Sequence, residues 1–139
     1  PNLNLLGTRE PEVYGTATLA DIEAAARAQA AKLQLNVEFR QSNHEGVLID
    51  WVQEAGKKGA GIIINPGAYT HSSIALHDAL KAVRAPKIEV HLSYFHAREP
   101  FRRTSYVSPA VDAVLAGLGP DGYSLALDAM RRLIDKGRR

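Results

Sequence analysis

The chain has 139 residues, 45% hydrophobic and 23% charged, a composition that suits one folded domain and excludes a disordered chain. It has no cysteine, so disulfides, cysteine-ligated zinc and thiol catalysis are ruled out. Seventeen Lys and Arg against 15 Asp and Glu leave a formal charge of only +2, and no apolar run nears the ~20 residues of a bilayer span. The one local basic cluster, Arg98 with Arg102 and Arg103, favours a small anion over nucleic acid or a membrane. A cytoplasmic setting is the expectation.

Residues 1–17 are rich in Asn, Gly and Pro and read as loop. Thr18 then precedes Leu19, Ile22, Ala26, Ala30 and Leu33 at helical spacing, with Asp21 placed for a near capping box. Val37 and Phe39 alternate with Glu38 and Arg40, the period of a strand. A helix is predicted from about Glu45 to Lys57, with Leu48, Trp51, Val52 and Ala55 on one side. Ala60–Asn65 carries three successive isoleucines and reads as a parallel strand buried on both faces, stopped by Pro66 and Gly67. Ser72 or Ser73 caps the next helix, which ends before Pro86. Lys87–Leu92 is a strand, 93–108 a long polar and aromatic loop, and Val111–Leu115 a last strand. A closing helix runs from Pro120 to about Lys136.

Strands alternating with helices predict right-handed crossovers and a three-layer sandwich around a parallel sheet. Four strands are expected, all in a single domain over 1–139. Pro1 begins in a polar segment that normally follows an opening strand, so a fifth strand ahead of it is also expected.

In an open parallel sheet, ligands bind beyond the carboxyl ends of the strands. The polar residues collect there. Asn2, Asn4, Arg9 and Tyr14 lie in the opening loop, Asn65 ends one strand with His71 just after it, and His91 closes another before Ser93, Arg98 and Arg102. Glu89 and His91 are two apart and share a strand face, an arrangement in which a carboxylate orients an imidazole to act as an acid. The same pair is equally a way to satisfy two buried polar groups. Tyr14 becomes a base only if cations such as Arg9 or Arg98 favour its phenolate; otherwise it is a loop tyrosine. Asn65 and His71 suit substrate hydroxyls or a turn and a helix start, and Asp78 reads locally as a solvated helix carboxylate.

Several chemistries drop out. No G-x-G-x-x-G follows a strand and no Walker A motif occurs. His44-Glu45 does not extend to H-E-x-x-H, and neither Ser72 nor Ser73 sits in a G-x-S-x-G elbow. No lysine falls in the polar segments, which argues against a Schiff base.

The segments Pro1–Pro11 with Val13-Tyr14-Gly15, Asn65–Ala68 with Thr70–Ser73, Ile88–Ser93, His96–Glu99 and Phe101-Arg102 with Ser105-Tyr106 closely resemble type II 3-dehydroquinate dehydratase. The resemblance covers essentially the whole chain. It implies a flavodoxin-like αβα sandwich with a five-stranded parallel sheet, and a homo-oligomer built from trimers into a dodecamer. It implies elimination of water from the small anion 3-dehydroquinate through an enolate, with no metal and no cofactor. On the matching positions, Tyr14 is similar to the base, aided by Arg98 and Arg9, and Asn2 to the holder of a water at the enolate oxygen. His91 is similar to the acid, oriented by Glu89. Leu92 and Ser93 then grip the substrate carboxylate, Asn65, His71 and Arg102 bind ring hydroxyls, and Asp78 reaches a neighbouring subunit's site. The chain departs from the family's usual Asn after Ser93, carrying Tyr94 and then Phe95, which puts the pocket floor in question. Other readings are a lyase or isomerase for a related polyhydroxylated cyclic acid, or a flavodoxin-like binding module without catalysis.

Overall fold

Packing begins with helices whose ends are chemically specified. The computed structural model describes residues 1–137. A short helical turn at Leu3–Leu5 and the single-turn helix α1 (Pro11–Tyr14) interrupt the opening segment that reads as loop in sequence. Helix α2 (Leu19–Lys32) starts at Thr18, whose Oγ1 accepts from the Asp21 amide at 3.2 Å while the Asp21 carboxylate accepts from the Thr18 amide at 2.9 Å. Those bonds, the backbone one first, hold the Asp21 carboxyl below its usual range. Helix α3 (Glu45–Lys58) ends at Gly59, whose φ of 66° closes the turn in the left-handed region. Ser73 rather than Ser72 caps α4 (Ile74–Ala82), its Oγ accepting from the Leu76 amide at 2.9 Å. Helix α5 (Asp121–Gly137) closes the described chain.

The sheet has three parallel strands in the order β1 (Ile62–Ile64), β2 (Lys87–His91), β3 (Ala113–Ala116). The register His91↔Ala116 aligns the carboxyl ends of β2 and β3, while Ile64↔Glu89 stops β1 two residues short of the end of β2. Three strands replace the expected set of five. Val37–Arg40 belongs to no ladder, although Leu35, Val37 and Phe39 are half-buried and the residues between them exposed. Side-chain alternation comes from packing, whereas a ladder needs a neighbouring strand about 4.8 Å away. No described strand pairs with this segment, and the Val37 carbonyl instead accepts from the Arg27 guanidinium at 3.1 Å. The last strand also sits further along than the predicted Val111–Leu115, because Ser108–Ala110 takes up a helical turn first.

The core forms two layers set by period two along the strands. Ile62 and Ile64 pack with Val52, Leu76, Leu80 and Val107 on the α3–α4 side. Ile88 and Val90 pack with Ile22, Tyr123, Ala126 and Met130 on the α2–α5 side. Ile63 faces that second side and is only half-buried, so the isoleucine strand is less enclosed than a fully buried parallel strand. With Ile88 and Val90 committed to α5, Glu89 and His91 necessarily point to the opposite face.

Candidate active site

The carboxyl ends of β1 and β2 open into a pocket bordered by the opening segment, the turn after β1 and the loop after β2. Ten of the sequence-predicted residues line it: Asn2, Arg9 and Tyr14 from the opening; Asn65 and His71 after β1; and His91, Leu92, Ser93, Arg98 and Arg102 after or at the end of β2. Gly67 makes the opening's approach possible. Its φ of 56° is left-handed, and a Cβ there would stand 3.0 Å from Pro1 Cδ.

Glu89 does not line the pocket; it lies behind His91 and is wholly buried. His91 Nε2 donates to Glu89 Oε1 at 2.6 Å, leaving Nδ1 free for a ligand. Thr70 Oγ1 donates to the same carboxylate oxygen, and Ser108 Oγ donates to Oε2 at 2.8 Å. Burial alone pushes the Glu89 carboxyl up, but the three bonds from His91, Thr70 and Ser108 outweigh it and hold the group below its usual range. A buried ionised carboxylate thus backs the imidazole. Phe95, 2% exposed, tilts against the His91 ring at 4.5 Å and meets the His71 ring edge-on at 5.6 Å. Phe95 therefore lines the pocket, whereas Tyr94 stands outside it and is 60% exposed.

Across the pocket, Arg98 Nη1 donates to the Tyr14 hydroxyl at 2.9 Å and approaches Ser93 Oγ at 3.5 Å. The Arg9 guanidinium sits over the Tyr14 ring, 5.2 Å from its centroid. Two guanidinium groups thus flank Tyr14, one bonded to its oxygen and one over its ring. Arg102 is steered by Glu99 at 2.6 Å. His71 Nδ1 donates to the Thr104 carbonyl at 2.8 Å, and burial pushes its imidazole below the ordinary value, so neutral His71 offers Nε2 as an acceptor. The Asn2 amide N–H donates to Asn43 Oδ1 at 2.7 Å, which ties the opening to the segment before α3.

Asp78 is the residue the structure leaves out. It is exposed on α4, away from the pocket. His77, which reads in sequence as helix decoration, bonds the Tyr106 carbonyl through Nδ1 at 2.6 Å. Nothing in the local sequence assigns Thr70 or Ser108 to the Glu89 carboxylate. Thr70 and Ser108 each lie 19 positions from Glu89 and meet it only through the fold. Among the described residues, no three His, Asp or Glu side chains gather as a metal-binding group, and no helix is long and apolar enough to cross a membrane.

The family model for class II dehydroquinase matches residues 1–131. The chain belongs to the class II dehydroquinase family. It is 66% identical over 131 residues to a 3-dehydroquinate dehydratase of Chelativorans sp. (strain BNC1), covering 94% of this chain and 90% of that protein. The crystal structure of the type II dehydroquinase from Propionibacterium acnes superposes with a TM-score of 0.92 at 44% identity, over 95% of this chain and 91% of that one. The type II dehydroquinase structure from Butyrivibrio crossotus DSM 2876 gives 0.91 at 44% identity, over 94% and 91%. The flavodoxin-like αβα architecture is therefore correct, with the three-stranded sheet described above.

Proposed function

We propose that Tyr14 is the base and His91 the acid of the reaction this chain catalyses as a hydro-lyase, the conversion of 3-dehydroquinate to 3-dehydroshikimate and water. The family membership and the named relatives support the reaction. The observation that carries the residue roles is that one pocket faces a cation-bonded phenol, Arg98 to Tyr14 at 2.9 Å, against a carboxylate-backed imidazole, Glu89 to His91 at 2.6 Å.

The ketone acidifies the neighbouring C2 proton. A phenolate at Tyr14 takes it, and the electron pair passes into the carbonyl to give an enolate. Arg98 holds the phenol oxygen by a hydrogen bond at 2.9 Å, and the Arg9 guanidinium over the ring places a second positive charge beside it. A water held by Asn2 donates to the enolate oxygen, where donation is worth most because charge develops there. The enolate then collapses, the C1–oxygen bond breaks, and His91 gives its proton to the departing hydroxyl, which leaves as water. Glu89 is the counter-ion while His91 carries that proton. The Leu92 and Ser93 amides and the Ser93 hydroxyl hold the substrate carboxylate, and Asn65, His71 and Arg102 hold the ring hydroxyls. No lysine lines the pocket, in keeping with an enolate rather than an imine route. No metal or cofactor is needed in this scheme.

The remaining roles concern assembly. Asp78, exposed on α4, serves a neighbouring subunit's site in a trimer-based dodecamer. The whole chain acts as one catalytic domain in the cytoplasm.

The deciding assay follows enone absorbance on addition of 3-dehydroquinate, with chelator present throughout, alongside light scattering of the same sample. Full turnover by an assembly of trimers or larger is expected. No turnover, or full activity from a strict monomer, would overturn the reading of the reaction or of Asp78 respectively.

A further inference from the structure

We infer that Tyr123, on α5 and outside the pocket, is a positioning residue that sets which atom of the Asn65 amide faces the substrate. This rests on Asn65 being a substrate contact, as proposed above.

Asn65 follows the last residue of β1 and lines the pocket. An asparagine amide has an acceptor and a two-proton donor of nearly the same shape, so its orientation is decided by its partners. The Gly67 amide is 3.0 Å from Asn65 Oδ1. A backbone N–H only donates, so the carbonyl oxygen must lie on that side. Asn65 Nδ2 then donates to the Tyr123 hydroxyl oxygen at 2.8 Å. One N–H is spent on Tyr123 and one remains. With Oδ1 turned to Gly67 and keeping only a second lone pair, the remaining N–H is the group this orientation offers the pocket, and its counterpart on the ligand is a hydroxyl or carbonyl oxygen acting as acceptor.

The Tyr123 side of this clamp is rigid. Tyr123 is buried among Ile88, Val90, Ala126 and Met130, in the layer opposite Glu89. Burial pushes its phenol up to about 12, so it stays neutral at any working pH and takes no part in proton transfer. The bond thus runs from a fixed core tyrosine, 58 residues away in sequence, to a pocket wall. Gly67 fixes one end of the amide and Tyr123 the other. Without Tyr123, the amide keeps one partner and loses the one that restrains its donor.

The experiment measures kcat and KM for 3-dehydroquinate in Tyr123→Phe, Asn65→Ala and the double variant, with melting temperatures for each. Tyr123→Phe deletes one oxygen and keeps the ring in the core. We expect KM to rise ~2–12-fold in Tyr123→Phe, the size of one misplaced neutral hydrogen bond, with kcat changed far less. The double variant should bind no worse than Asn65→Ala, because the hydroxyl acts only through Asn65. Additive losses, or a lower melting temperature with KM unchanged, would overturn the assignment. If Asn65→Ala itself leaves KM unchanged, the substrate role of Asn65 fails instead, and the two failures are thereby distinguished. Asn65→Asp provides an independent check. It puts an acceptor and a charge where a donor is required, so its KM should exceed that of Asn65→Ala; a KM within twofold of the unsubstituted protein would overturn the donor orientation.

Discussion

Replacing Glu89 with Gln removes one charge from a site where the geometry is otherwise unchanged. Glu89 receives three hydrogen bonds and is 0% exposed. His91 and Thr70 meet Oε1, and Ser108 meets Oε2. A glutamine fits if its oxygen takes the Oε1 place and its NH2 faces Ser108, whose hydroxyl rotates to accept. The fold should therefore survive. What is lost is charge assistance to His91: a bond to a charged group is worth ~1.5–3 kcal/mol and a neutral one ~0.5–1.5. The difference of about 1–1.5 kcal/mol converts to a ~5–15-fold drop in kcat, at tenfold per ~1.4 kcal/mol. Steady-state turnover of 3-dehydroquinate measures it, with thermal melts across pH as the companion. Because the native Glu89 carboxyl is held below its unfolded value, its contribution to stability is full above the ordinary carboxyl range of ~4.3. It declines as pH falls below that range and is gone under the depressed native value. The stability difference between the parent protein and Glu89→Gln should narrow over that acid window. A kcat within twofold of the parent, with an unchanged gap on acidification, would refute the buried-anion account of His91.

Replacing Tyr14 with Phe should cut turnover ~100–10,000-fold and abolish solvent deuterium exchange at substrate C2, whereas His91→Asn retains exchange while failing to form product. Normal exchange in Tyr14→Phe would mean that another group takes the proton. His71→Asn should flatten a second pH effect. Burial lowers native His71, so the unfolded chain takes the proton first and stability falls as pH drops below ~6.5; melts at pH 7 and pH 5 should show a smaller loss in the variant. Leu80→Ala empties a fully buried position between α4 and the sheet and should cost ~2–5 kcal/mol in denaturant unfolding, with KM unchanged in the folded fraction.

Local chemistry carried much of this protein in its linear order. The Thr18–Asp21 cap, the Ser73 cap, the isoleucine strand and the Glu89–His91 spacing all depend on neighbours a few positions apart, so periodicity and capping rules reach them. The pocket membership of Asn65, His91 and Ser93 was legible because polar residues at the ends of parallel strands have few other places to go, whereas Tyr14, in the opening segment, was reached through the family resemblance. Tertiary structure alone decided the rest. Tyr123 reaches Asn65 across 58 residues with no trace in local pattern, and of the two arginines named for Tyr14 only the fold puts Arg98, 84 residues away, on its hydroxyl and Arg9 over its ring. Thr70 and Ser108 look like ordinary turn residues until β2 brings Glu89 between them. Val37–Arg40 shows the converse: its alternation is a true record of which side chains are buried, but pairing into a sheet is a property of two segments, and one segment's sequence cannot state it.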